Sequence, residues 1–441
     1  MSVMPVDAQE KSRIPLSDHV VGTLFLIAAT SNVIAGRSTV FVLPALTLLA
    51  LAMAYIERVS WRTFLEPAPA SRPVAVFLGF AVLSAAWSVD MAATAAATLS
   101  ILFILFQWHI IDRWISEQPA RRLHHVAFWL VIAFAIGLIF LLLEVFSKQY
   151  VRAALMETFS LFRPSSPARY YSIDQAGNVS IASFELNRSI AALNMILWPA
   201  ILCALSSWTG RKFTLIAIAL IAGTALATIG SDHETSKLAL IVSGLCFLIA
   251  FYWRRTAYVG LAACWVALGI GALPGAYFAH DVLALHQAPW LQSSAQHRIT
   301  IWDETADEAL QDPIIGHGAR AAYIMRQQDP KRPDGVRLER SEDSVAIHAH
   351  NVYLQNWYEF GAVGVLLFIV AGLMVLNAIR TIPIATQPYA LATFASFAVH
   401  IASSYELWQS WFASLFALTM IYLWWGIRAF EAAGETQRRL A

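Results

Sequence analysis

The residues best suited to chemistry crowd one stretch, Ile347-His348-Ala349-His350-Asn351-Val352-Tyr353-Leu354-Gln355-Asn356-Trp357-Tyr358-Glu359-Phe360-Gly361-Ala362-Val363-Gly364. A helix through it places Asn351, Gln355 and Glu359 at i, i+4 and i+8, a single polar stripe on the first two turns. Polar groups at membrane depth are costly, so such a stripe faces a wet cavity or the interior of a bundle. His350 falls at or just before the helix N-terminus. There, unpaired N–H groups and the positive dipole end favour an anion and disfavour imidazolium. A neutral imidazole beside an anion site can serve as a general base. The plainer reading is an interfacial histidine capping a helix, and the stripe and following glycines favour the functional one.

Three cations accompany it. Arg188 lies in Glu185-Leu186-Asn187-Arg188-Ser189, Lys237 follows Ser231-Asp232-His233-Glu234-Thr235-Ser236, and Arg298 stands in His297-Arg298-Ile299-Thr300-Ile301-Trp302. Arginine grips phosphate with a two-donor fork, whereas lysine acts as a point charge. One such cation alone is ordinarily a snorkelling anchor or an ion-pair partner. Three on the same face as His350 make a phosphate-handling site. No P-loop is present, which argues against ATP-driven chemistry, and no serine-hydrolase signature occurs. Neither a metal nor a cofactor is expected, because the outer segments lack an Asp-x-Asp or acidic cluster. Asp232-His233-Glu234 reads as a polar turn, and a zinc set from Asp232, His233 and His348 is a remote alternative.

The elements that must position these groups follow from composition. Of 441 residues, 58% are hydrophobic and only 13% charged, against about 25% charged in soluble domains. The chain therefore reads as a single all-α, polytopic membrane domain over residues 1–441. Its 16 Trp, 25 Phe and 13 Tyr suit many bilayer boundaries. A net charge of +1 gives no pull towards nucleic acid. Cys203, Cys246 and Cys264 lie in apolar runs without metal or disulfide spacing. Twelve apolar runs meet the requirement of about 20 residues for a span: 19–36, 38–56, 73–89, 91–111, 124–147, 189–208, 212–230, 236–253, 256–279, 350–379, 387–405 and 408–429. The first reads as an uncleaved span rather than a signal peptide, since it lacks a compact basic region and an A-x-A site.

The positive-inside rule orients them. With the N-terminus inside, 16 of the 30 Lys and Arg are cytoplasmic, and the short outer turns hold only Arg37 and Lys237. Two long segments, 148–188 and 280–349, are then periplasmic. In 280–349, Thr300 can cap a helix through Ile301, Trp302, Thr305, Ala309 and Leu310, ended by Pro313 and Gly316-His317-Gly318. In 148–163, Val151, Leu155, Phe159 and Phe162 form an apolar stripe opposite Lys148, Arg152 and Glu157. That pattern suits a helix lying on the outer leaflet or one packed on the bundle.

These motifs carry a family resemblance. His350-Asn351, nine residues, Gly361 and Gly364 resemble the His-Asn-x9-Gly-x-x-Gly signature of the O-antigen ligase and polymerase superfamily. Arg298-x3-Trp302 followed by Asp312-Pro313-Ile314-Ile315-Gly316-His317-Gly318 is similar to its Arg…Trp…Asp-Pro-Leu-Gly-x-Gly loop, and Asn187-Arg188 to its Asn-Arg element. Glu234-Thr235-Ser236-Lys237 departs from the family's Ser-x-Ser-Arg, and lysine offers a point charge there in place of the two-donor fork. The resemblance, over about residues 75–405, implies a GT-C-like fold of about twelve transmembrane helices with the large partly helical loop between the ninth and tenth. It is strongest to the O-antigen ligases of the Gram-negative inner membrane. They transfer O-antigen polysaccharide from undecaprenyl pyrophosphate to a lipid A–core sugar hydroxyl, on the periplasmic face and without nucleotide or metal. His350 is then the base, and Arg188, Lys237, Arg298, His348, Asn351 and Gln355 bind pyrophosphate or substrate. O-antigen polymerase and protein O-oligosaccharyltransferase are the near alternatives. A lipid-linked glycan transporter is a remoter one, which the scarcity of ionisable residues in the first four spans disfavours.

Overall fold

The computed structural model describes residues 15–67, 71–159, 170–175, 178–328 and 349–440. His348 and Phe162 lie outside these residues. Every one of the twelve apolar runs is helical. They are α1 (Leu16–Ile34), α2 (Thr39–Ile56), α3 (Ser71–Leu83), α4 (Met91–Ser116) and α5 (Ala120–Phe146); then, after the short α6 (Tyr150–Thr158) and strands β1 (Tyr171–Ile173) and β2 (Val179–Ile181), α7 (Asn187–Ser207), α8 (Gly210–Ile229), α9 (Glu234–Tyr252) and α10 (Arg254–Tyr277). Two helices outside the bundle, α11 (Ser293–Ala309) and α12 (Ala321–Gln328), precede α13 (Val352–Ile379), α14 (Gln387–Ser403) and α15 (Ser410–Leu440).

Among the described residues, 10 helices are long and apolar enough to cross a membrane. The two other runs of the expected twelve fall short of that measure. The apolar helix at Val74–Ala86 is short and closes in a 3₁₀ turn at Ser84–Ala86. Helix α14 has 17 residues, a length of about 26 Å at 1.5 Å per residue against a hydrocarbon core of about 30 Å. The protein is an all-α, multi-pass membrane protein, with one small sheet among the described residues. That antiparallel hairpin, pairing Tyr171 with Ile181 and Ile173 with Val179, was not foreseen from the sequence.

Helices form because, in lipid, every backbone N–H and C=O must be satisfied within its own segment. Helix α7 is the central post: Ser189 through Ala204 are all buried, against α5, α8, α14 and α15. Peripheral helices turn large apolar side chains outward, such as Phe41, 77% exposed, and Ile270, 57% exposed, the reverse of a soluble protein. On α6, Val151, Leu155 and Phe159 are exposed. Its polar side is tied inward: Arg152 donates to Ile34 O at 2.6 Å and lies 3.4 Å from Glu144, while Glu157 accepts from Val179 N at 2.8 Å.

Helix α11 starts earlier than its capping pattern suggested. Thr300 sits inside it, its hydroxyl turned back towards Gln296 O at 3.5 Å, and the helix begins at Ser293. Threonine satisfies its hydroxyl on its own helix as readily as at a cap. The consequence is that Arg298 and Trp302 ride one continuous helix, one turn apart.

Candidate functional site

The site is built by α11 gripping two chain segments. Arg298 Nη1 donates to Ser403 O at 2.6 Å, at the end of α14. One turn on, Trp302 Nε1 donates to Ala349 O at 2.8 Å, immediately before His350. His350 itself has φ +53°, a left-handed conformation uncommon for a residue with a Cβ and held where surrounding contacts demand it. Its Nδ1 lies 3.1 Å from Ser404 O. A carbonyl can only accept, so Nδ1 carries the hydrogen and Nε2 is the basic nitrogen. Adjacent carbonyls, Ser403 and Ser404, thus hold Arg298 and His350 side by side.

Burial, then the Arg298 charge, lowers the His350 pKa to about 4; His297 adds to this and the Ser404 bond opposes it. That shift favours the neutral imidazole, and its causes differ from the one the helix start suggested. The helix amides thought to disfavour imidazolium are already used, because Asn351 Oδ1 accepts from Tyr353 N at 3.0 Å and Leu354 N at 3.2 Å. Asn351 is the N-cap of α13.

The other cations approach the same turn. Arg188 stacks over the Trp411 ring at 5.8 Å and lies 3.7 Å from Glu185. Arg188 and Arg298 both act electrostatically on Tyr405, which is buried, with its pKa raised by that burial, and donates to Asn187 O at 3.4 Å. Lys237 pairs with Glu234 at 2.7 Å. Lys237 and Arg298 both act on His233, whose pKa falls to about 3, chiefly through burial. The structure therefore gathers Arg188, Arg298 and His350 around residues 403–405, with Lys237 beyond His233. Gln355 turns away into the bundle: its Nε2 donates to Glu359 Oε1 at 2.8 Å, and Trp408 Nε1 donates to Glu359 Oε2 at 2.6 Å. Beside them Glu406 is raised by burial to about 7.

The glycine-rich loop 312–318 meets α13 where that helix breaks. Ala362 N donates to Pro313 O at 2.8 Å, Val363 N to Ile314 O at 3.1 Å, and Gly318 N to Glu359 O at 2.8 Å. Two sequence motifs are thus two sides of one backbone contact.

Sequence reasoning missed Ser403, Ser404, Tyr405, Glu406 and His400, and read His233 as part of a polar turn, with a zinc set as a remote alternative. Polar side chains next to a span boundary were the available signal for Ser403-Ser404-Tyr405-Glu406. Among the described residues, His280, Asp281 and Asp303 are the group whose donor atoms could share a metal ion, all lying within 4.8 Å. His280 Nδ1 lies 2.7 Å from Asp281 Oδ1 and 3.0 Å from Asp303 Oδ2. A cavity of about 630 Å³ lined by Phe251, Trp253, Arg254 and Tyr389 opens at the far ends of α9 and α14, away from His350.

Fold and site together define a multi-pass helical membrane protein with a neutral histidine and cations assembled beside a helix outside the bundle. Residues 216–369 match the family model described as O-antigen ligase. The chain is 25% identical over 243 residues to a Rickettsia conorii protein that carries the provisional name polysaccharide ligase, covering 53% of this chain and 56% of that one. A Rickettsia felis protein of the same name is 26% identical over 243 residues, with the same coverage. One from Rickettsia bellii is 21% identical over 357 residues, covering 79% of this chain and 78% of its own. The aligned stretch spans about half the length of the first two relatives. The chain is thus similar to the O-antigen ligase family over residues 216–369 and to proteins named for polysaccharide ligation.

Proposed function

We propose that this protein is a glycosyltransferase of the O-antigen ligase kind, moving O-antigen polysaccharide from undecaprenyl pyrophosphate to a sugar hydroxyl of lipid A–core. It does so at the periplasmic face of a Gram-negative inner membrane. The observation that carries this reading is the placement of a neutral, Nδ1-anchored His350 directly beside Arg298, with Arg188 across Tyr405. Lipid pyrophosphate is already a good leaving group, so catalysis needs charge neutralisation and a base near the acceptor hydroxyl. His350 Nε2 accepts the acceptor's proton as its oxygen bonds to the anomeric carbon. The carbon–oxygen bond to pyrophosphate breaks, and the departing charge falls to Arg188, Arg298 and Lys237. Such base catalysis contributes about 10²–10⁴-fold. No metal or cofactor is assigned a part. Asn351 shapes the approach to the base as the cap of α13, Gln355 supports it from behind, and His348 is proposed to contact substrate.

The test is transfer by purified protein supplied with undecaprenyl-pyrophosphate glycan and either lipid A–core or a second lipid-linked glycan. Product on lipid A–core that disappears with His350→Ala supports the ligase. Product only on the second glycan makes the protein a polymerase, and flipping without transfer makes it a transporter.

A further inference from the structure

The proposed site hangs on the main-chain carbonyls of Ser403 and Ser404, while the side chains of those two serines are tied to something else. Ser404 Oγ donates to Thr235 Oγ1 at 2.7 Å, and Thr235 Oγ1 lies 3.0 Å from Ser403 Oγ. Ser403 Oγ in turn donates to Val399 O at 3.3 Å. The donors run in one direction: Ser404 to Thr235, Thr235 to Ser403, Ser403 to a carbonyl. Thr235 therefore joins both serines through a single hydroxyl.

A second chain stands behind it. His400 Nδ1 lies 2.8 Å from Ser396 O, so that nitrogen carries the hydrogen and His400 Nε2 accepts from Ser236 Oγ at 3.2 Å. Ser236 Oγ is then left to accept from His233 Nδ1 at 2.7 Å, and His233 Nε2 faces Ser404 Oγ at 3.4 Å. Thr235, Ser236, His233, His400 and Ser404 are all buried. Buried hydroxyls without partners are costly, so the paired hydroxyls of Thr235, Ser236 and Ser404 resist displacement. The first turn of α9 thus fixes the spacing of the two carbonyls that orient Arg298 and His350.

We propose that Thr235, backed by His233 and Ser236, is a positioning residue for transfer, acting through Ser403 and Ser404 without touching substrate. This rests on the roles proposed above for Arg298 and His350. Misplacing catalytic groups by about 1 Å costs about 10²-fold. Thr235→Val keeps the shape and removes the hydroxyl, while Thr235→Ser keeps the hydroxyl and removes the methyl group.

The experiment measures kcat and donor KM for both variants of the full chain, with undecaprenyl-pyrophosphate glycan and lipid A–core. Thr235→Val is expected to lower kcat about 10–100-fold with donor KM within about two-fold of wild type. Thr235→Ser is expected to restore kcat to within about two-fold of wild type. Wild-type kcat in Thr235→Val, with His350→Ala inactive, overturns the positioning role and leaves the function standing. Equal loss in both Thr235 variants also overturns it, since packing rather than the hydroxyl then matters. Full activity in His350→Ala removes the underlying reading instead. If Thr235→Val does not fold, Ser404→Ala, which keeps the carbonyl bound to His350, must show the same kcat loss, and wild-type kcat in it overturns the proposal.

Discussion

Gly361 and Ile314 touch backbone to backbone. A Cβ built on Gly361 falls 2.4 Å from the Ile314 carbonyl carbon and 2.5 Å from its oxygen, and Gly361 has φ +57°. Gly316 closes the contact from the other chain segment, its own Cβ position being 2.4 Å from Glu359 C at φ +64°. Only glycine meets both demands, conformation and space, at these two points. Through this contact the loop after α11 locks onto the break in α13, ten residues beyond Asn351.

Gly361→Ala should therefore act on the site from a distance. At φ 57° and ψ −161° the backbone is in a region essentially confined to glycine, costing another residue about 1–3 kcal/mol, and the overlap with Ile314 adds to that. Lower thermal stability and lost transfer are expected; a variant with wild-type melting temperature and turnover would show that the contact is dispensable.

His350→Ala should remove about 10²–10⁴-fold of turnover while lipid-glycan binding persists. His350→Gln can hydrogen-bond but cannot take a proton, so it separates the base from the positioning role. Near-normal turnover in the glutamine variant would leave His350 as a positioning residue. His348→Ala is expected to be milder.

Acid tolerance follows from the electrostatics. An imidazole at its unperturbed pKa of about 6.5 is about one-tenth unprotonated at pH 5.5, whereas His350, lowered to about 4, stays almost wholly basic there. Transfer by Glu406→Gln, which removes a carboxyl raised to about 7, should be nearly constant between pH 5.5 and 7.5. For stability the sign is that of a depressed folded-state pKa. His350 and His233, the latter at about 3, contribute fully above about pH 6.5, and that contribution is lost as pH falls through their folded values. A melting temperature that rose on acidification from pH 6.5 to 4 would contradict the assignment.

Arg298→Ala should abolish transfer, because Ser403 O loses its donor and the pyrophosphate a cation at once. Arg298→Lys should rescue poorly, the fork being lost, whereas Lys237→Arg should be tolerated. Arg188→Ala should also be inactive while still folding. Wild-type kinetics in both alanine variants would exclude the pyrophosphate clamp.

Activity is expected to survive excess EDTA. The His280, Asp281 and Asp303 group contains none of the residues proposed for the chemistry. Inhibition by chelator that Mg²⁺ or Mn²⁺ reversed would transfer the charge-neutralising role from arginine to a metal ion.

What the sequence determined by itself is everything that depends on local pattern. Apolar run length located all twelve helices, and the family resemblance grouped Arg298 with Trp302 and His350 with the two glycines. Tertiary structure decided what those groups hold. Arg298 reaches a carbonyl 105 residues away, Trp302 one 47 away and His350 one 54 away. Main-chain carbonyls have no residue-type signature, because every residue carries one, so Ser403 and Ser404 could not be read as the anchors. The same holds for the cause of the lowered His350 pKa. A helix terminus is visible in sequence, but burial and a facing guanidinium arise only when α11, α13 and the end of α14 are packed together. Asn351, by contrast, is positioned by its own helix: the local pattern put it first in a polar stripe on the opening turns, and in the structure it caps α13.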